Sequence, residues 1–178
     1  GNRRHLFRQI VDDANAFGCI LRMDRTGEEF KPFFPDSGMI DISTDRPIEP
    51  SEKITDELIE MTEWELLDLG IQAVRNGLAE DGKEIMSWQS ALRIDPSIWF
   101  RDADGDHWVV VRTARYPELH ASVPQHIEAI RKSCAAMSDS GFFASVSVAS
   151  ADDEFTGQNV RPLYRGHGFR IRKGFEPV

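Results

Sequence analysis

Apolar residues recur along the chain with two different periods, and the switches between them divide it into elements. Leu6, Phe7, Ile10, Val11 and Ala14 fall at helical spacing and predict a short amphipathic helix over residues 4–16. In CILRMDRTGEEFKPFF two apolar runs flank Thr26 and Gly27, the pattern of a hairpin, and GMIDIST adds a third short strand. Pro47 and Pro50 then interrupt regular structure and predict a linker. Residues 1–50 therefore read as a small helix-plus-sheet appendage, and residues 51–178 as the main domain.

The main domain is more regular. Thr62 and Glu65 have the spacing of a capping box, in which hydroxyl and carboxylate satisfy the first free amides of a helix. Trp64, Leu67, Ile71, Val74 and Leu78 follow at three- and four-residue steps, one stripe on one face, and Gly82 suits the turn that ends the helix. KEIMSWQSAL and IDPSIWF predict two strands, RDADGD a turn built on Asp104-Gly105, and HWVVVRTA a third strand. Ser122 and Pro124 mark the opening of a second helix, with Ile127, Ile130, Cys134 and Met137 on its buried face and Gly141 as its end. FFASVSVAS alternates Phe142, Ala144, Val146 and Val148 with smaller residues, a buried strand, and RPLYRGHGFRIRKGF holds one or two more. All four tryptophans, Trp64, Trp88, Trp99 and Trp108, fall on these elements and are expected in the core. From residue 62 to 149 the order is αβββαβ: an antiparallel meander, then a helix that crosses over and sets the last strand alongside. The fold class is α+β or α/β, a mixed sheet flanked by helices.

Composition narrows the class. The 178 residues are 40% apolar and 29% charged, enough for a buried core. No apolar run approaches the roughly 18 residues of a membrane span. GNRRHLFRQIVDDANAF carries acids where an export signal would be apolar, and two cysteines, Cys19 and Cys134, form at most one bridge, so a cytoplasmic protein off the membrane is expected. The net charge of −9 is uneven: residues 41–70 hold ten acids against two bases, residues 155–178 five bases against one acid. An acidic protein repels phosphate at long range, which disfavours nucleic acid as a partner without excluding it. The basic tail is explained as well by folding back onto the acidic helix.

With this order in place, IDPSIWFRDADGDHWVVVRTARYP resembles the heart of the PD-(D/E)xK nuclease superfamily, the restriction-endonuclease-like fold, over residues 62–149. The resemblance implies an acid opening the second core strand, a hairpin, and a third strand carrying acid-any-lysine. In that chemistry two carboxylates hold Mg²⁺, which activates water and neutralises charge developing on phosphate, while the lysine orients the water. Asp95 matches the opening acid, although proline follows it rather than precedes it. The second acid position falls on Val110 and the lysine position on Arg112; the helix acid falls on Glu65, or Asp68 one turn on. Val110 has no oxygen to offer a metal, and Arg112 stays protonated. A degenerate site without cofactor is therefore expected, with Mg²⁺ implied only if Glu65, Asp104 or Glu84 serves beside Asp95.

Other groups of residues have simpler readings. Asp102, Asp104 and Asp106 lack the glycine position and downstream glutamate of a calcium loop and read as a solvated turn. Asp152, Asp153 and Glu154 read as a soluble loop, and neither His107 nor His126 has a partner at metal-ligand spacing. Cys134 on an apolar helix face is a small hydrophobe rather than a nucleophile. Gln89 and Ser90 either line a pocket or finish a hairpin. YRGHGFRIR is the most distinctive string. Two glycines permit close backbone approach, and Arg165, His167 and Arg170 are donors suited to an anion, or else members of a kinked edge strand paired with the acidic helix. Three functions fit these features. They are a non-catalytic binding protein on a nuclease-like scaffold, a divalent-metal nuclease with migrated acids, and an accessory or immunity-type protein that binds a protein partner.

Overall fold

The structure, a computed structural model, describes residues 2–26, 29–32, 38–156 and 160–178. The chain divides into two compact units, Gly1–Leu58 and Ile59–Val178. In the first, helix α1 (Asn2–Asp13) precedes β1 (Cys19–Leu21), β2 (Met23–Thr26), β3 (Glu29–Pro32), β4 (Met39–Asp41) and β5 (Pro47–Ile48). β4 lies between β1 and β5, and β2 pairs with β3 as the expected hairpin, whose Gly27 lies outside the described residues. Ile42 is fully buried, and Arg8 holds its carbonyl with Nε and Nη2 at 3.0 and 2.7 Å.

In the second unit the capping box forms as expected. Glu65 N–H donates to Thr62 Oγ1 at 3.3 Å, and Thr62 N–H donates to Glu65 Oε2 at 2.8 Å. Helix α2 (Glu63–Glu80) follows and buries Leu66, Leu67, Ile71, Val74 and Leu78. Then come β6 (Glu84–Trp88), β7 (Ile98–Asp102), β8 (Gly105–Arg115), α3 (Ile127–Cys134), β9 (Gly141–Ser150) and β10 (Phe169–Pro177). They form one five-stranded sheet in the order β10-β9-β8-β7-β6. β6, β7 and β8 are the antiparallel meander; β9 runs parallel to β8 after the α3 crossover, and β10 closes antiparallel on β9. The protein is thus a mixed α+β fold. Among the described residues no helix is long and apolar enough to cross a membrane.

Strand alternation builds two cores, one on each face of the sheet. Val109, Val111, Val146 and Val148 pack with the α2 stripe, and Trp108, Val110 and Phe143 pack with Ile130 and Cys134 of α3. Along Trp108–Val111 β8 is consequently apolar on both faces, as a central strand must be, whereas β9 turns the buried Ser145 and Ser147 to the α3 side. Close approach also requires Gly70, where a Cβ would stand 2.5 Å from Thr113 Cγ2, so α2 settles directly on β8.

Four expectations need correction. Pro47 and Pro50 do not interrupt regular structure: Pro47 opens β5, paired with β4, and Pro50 opens a short 3-10 helix, Pro50–Lys53. The second helix begins after His126 and ends at Cys134, so Met137 falls beyond its last turn and is exposed. Gly141 does not end that helix but opens β9. Trp88 is exposed rather than buried, because β6 is the sheet's edge; its ring stacks under the Arg75 guanidinium at 4.7 Å.

Candidate functional site

Asp95 precedes β7, and Ser97 ties that segment to β8 through Ser97 N–H to Val109 O at 2.8 Å and Val111 N–H to Ser97 Oγ at 3.2 Å. Arg112 leaves β8 on the same face as Trp108 and Val110, the α3 face, because the three stand two residues apart. The two residues singled out by the resemblance therefore meet, but as an ion pair. Arg112 Nη1 donates to Asp95 Oδ1 at 3.0 Å and Nη2 to Oδ2 at 2.7 Å, a bidentate clasp, while Nη1 also reaches the Val111 carbonyl at 2.9 Å. His126 Nε2 lies 3.4 Å from the same Oδ2. The Asp95 side chain is 9% exposed and that of Arg112 26%.

The surroundings of this pair are filled. Ser145, the register partner of Arg112 on β9, accepts from Ala121 N–H at 2.8 Å, and Ser147 donates to Glu118 O at 2.6 Å. The small face of β9 thus receives the loop that follows β8. Val110 is fully buried among the α3-side residues. Burial also pushes the Cys134 thiol up, which keeps it protonated and unreactive, as expected of a core cysteine.

Glu65 is not beside Asp95's other partners; it is held at the N-terminus of α2. Besides its capping bond it pairs with Arg165, Nε to Oε1 at 2.7 Å and Nη2 to Oε2 at 3.1 Å. The basic tail does fold onto the acidic helix at this point. Arg170 donates instead to the Ala151 carbonyl at 2.8 Å, and His167 packs edge-on against Tyr164, so Arg165, His167 and Arg170 are placed on three different partners. Asp153 is buried, with Oδ2 accepting Arg161 N–H at 3.1 Å, and Asp152 pairs with the Arg161 side chain at 2.8 Å. Gln89 closes the loop before β7 through Ala91 N–H and the carbonyls of Ile94 and Pro96, so it finishes the hairpin.

A second polar cluster escaped the sequence reading. Lys83 Nζ contacts Asp102 Oδ2 at 2.7 Å, His107 Nε2 contacts Asp102 Oδ1 at 2.8 Å, and His107 Nδ1 contacts Ser140 Oγ at 2.7 Å. Asp102 is an acceptor only, so Nε2–H donates to it, and in the neutral imidazole Nδ1 then accepts from the Ser140 hydroxyl. The signal was present in part: strand alternation across the Asp104-Gly105 turn puts Asp102 and His107 on one face, whereas nothing marks Lys83 or Ser140. The order of groups is that of a serine–histidine–carboxylate relay. Its imidazole, however, is stacked on Phe100 at 4.9 Å, edged by Phe142 and only 8% exposed, and its carboxylate is also bound by Asp104 N–H at 2.9 Å. The cluster acts as a clasp between the β7–β8 hairpin and the start of β9.

The clasp has a pH signature. The hydrogen bond from Lys83, then those from His107 and Asp104 N–H, hold the Asp102 carboxyl well below the usual carboxylate range. Its folded-state value lies below its unfolded one, so its stabilisation is complete above about pH 4 and is lost as pH falls toward the folded value. Wild type is therefore expected to lose thermal stability below about pH 4 more steeply than Asp102→Asn, with melting curves from neutral to acid pH as the measurement. Parallel curves for the two proteins would contradict the clasp.

Together these elements define a three-layer α+β unit, two helices enclosing a mixed sheet, in which Asp95 and Arg112 form an ion pair on the α3 side. The chain belongs to the family described as a domain of unknown function (DUF8840), whose model matches residues 64–178. No curated protein and no solved structure matches it.

Proposed function

We propose that residues 59–178 are a restriction-endonuclease-like scaffold that no longer hydrolyses phosphodiesters and serves a non-catalytic binding role. The αβββαβ order and the parallel β8–β9 pair support the scaffold. One observation carries the loss of chemistry: Asp95, the acid that the resemblance places at the opening of the second core strand, has both oxygens bound by Arg112. A guanidinium across both oxygens takes one lone pair of each and sets a positive charge beside them that repels a hard cation. Val110 supplies no second carboxylate, and among the described residues no group of three His, Cys, Asp or Glu side chains stands where it could hold a metal ion.

The full chain, incubated with plasmid DNA or single-stranded RNA and Mg²⁺ or Mn²⁺, is expected to cleave neither, and its melting temperature is expected not to move with either ion. Metal-dependent cleavage that disappears in Asp95→Ala would restore the nuclease with migrated acids.

A further inference from the structure

The YRGHGFRIR segment has no part in the reading above, yet it lines an open pocket. Gly166 adopts φ +75°, open to glycine without strain, and a Cβ on Gly168 would stand 3.0 Å from Ala151 Cβ. Through this turn Tyr164, His167 and Phe169 join Trp64 of α2 in lining a cavity of about 380 Å³ at the N-terminal end of that helix. Tyr164 and His167 meet edge to face, centroids 5.7 Å apart. Phe169 is 43% exposed, an aromatic ring kept at a rim instead of in the core.

The charges in the wall decide what such a pocket takes. Arg165 is engaged by Glu65, so that pair is internally neutral. Among the described residues Asp68 pairs with no such cation: its partner is the uncharged Gln72 amide at 2.6 Å. An anion entering here would meet Asp68 without a free guanidinium to offset it. A neutral apolar group would strip water from that carboxylate and give nothing in return. A cation is attracted by the carboxylate and suits a lining of aromatic rings.

We propose that this cavity binds an alkylated ammonium group, its methyl shell against Trp64, Tyr164 and Phe169 and its charge toward Asp68. The proposal does not rest on the Asp95–Arg112 pair, which lies on the α3 side of the sheet, although its acid, Asp68, is one of the two helix positions the resemblance offered. The same head group occurs on a free small molecule and on a modified lysine side chain, and the two are separable.

The test titrates the full chain with choline, with the uncharged tert-butyl analogue of choline, and with acetylated, amidated trimethyllysine, read by calorimetry and tryptophan fluorescence. At least one cation is expected to bind, with the uncharged analogue about tenfold weaker or worse. Tighter choline binding marks a free metabolite as the natural ligand, tighter trimethyllysine binding a peptide. Asp68→Asn and Tyr164→Leu are each expected to weaken the cation by about tenfold while melting like wild type, and Glu63→Gln, on an exposed acid outside the cavity, to bind as wild type does. Tyr164→Leu leaves the backbone that bridges to Glu60 chemically unchanged, and its melting curve separates loss of binding from loss of the fold. Absence of binding by both cations, equal binding of the uncharged analogue, or unchanged affinity in both cavity variants overturns the proposal.

Discussion

Gly141→Ala is expected to cost about 3 kcal/mol, a drop in melting temperature on the order of 10 °C, although it adds a single methyl group. Gly141 opens β9 directly opposite Trp108 in the register of β8. A Cβ there would lie 2.1, 2.3 and 2.4 Å from Cζ2, Cε2 and Cη2 of the indole, far inside any tolerable contact. Trp108 has nowhere to retreat: it is fully buried against Ile130, Cys134 and Phe143, and its Nε1 donates to the Ser138 carbonyl at 3.2 Å. The steric origin makes a second variant decisive. Trp108→Leu alone opens a cavity and destabilises. Combined with Gly141→Ala it removes the ring that the methyl strikes, so the double variant should lose distinctly less than the sum of the singles. Urea denaturation of the four proteins measures this, and a Gly141→Ala protein within about 0.5 kcal/mol of wild type would refute the close approach.

The second large effect is an asymmetry within the Asp95–Arg112 pair. Arg112→Ala should cost about 3 kcal/mol, and Asp95→Ala about 1 kcal/mol. Removing the arginine strands a carboxylate that is 9% exposed, with only the long His126 contact remaining. Removing the aspartate leaves a guanidinium that is 26% exposed, still bonded to the Val111 carbonyl and able to turn toward water. Arg112→Met with Asp95→Asn removes the uncompensated charge, and its stability should return most of the way to wild type. Equal losses in the two single variants, by chemical denaturation at neutral pH, would show that the clasp does not hold a buried carboxylate.

Most of the second unit could be read before its structure because its signals are short-ranged. The Thr62–Glu65 box, the α2 stripe and the Asp104-Gly105 turn each depend on residues within a few positions of one another, and each formed as expected. The misplacements occurred where tertiary position overrode local pattern. Trp88 carries a strand-core residue type, but it lies on the edge of the sheet, and only sheet order makes an edge. Met137 continues the helical spacing of Ile130 and Cys134, but the helix stops before reaching it.

The candidate site divides along the same line. Alternation within one strand already required Val110 and Arg112 to share a face, and the hydrocarbon at Val110 was plain from its identity. Whether Arg112 would stand free in a cleft or be locked to Asp95 rested on how the loop before β7 lies against β8, a pairing of residues 17 positions apart. The Glu65–Arg165 bond spans 100 positions and the His107–Ser140 bond 33. Local order follows from neighbours along the backbone, whose geometry is nearly the same in any fold. Charge partnership follows from which distant segments the buried cores bring together, and that is decided only when the sheet closes.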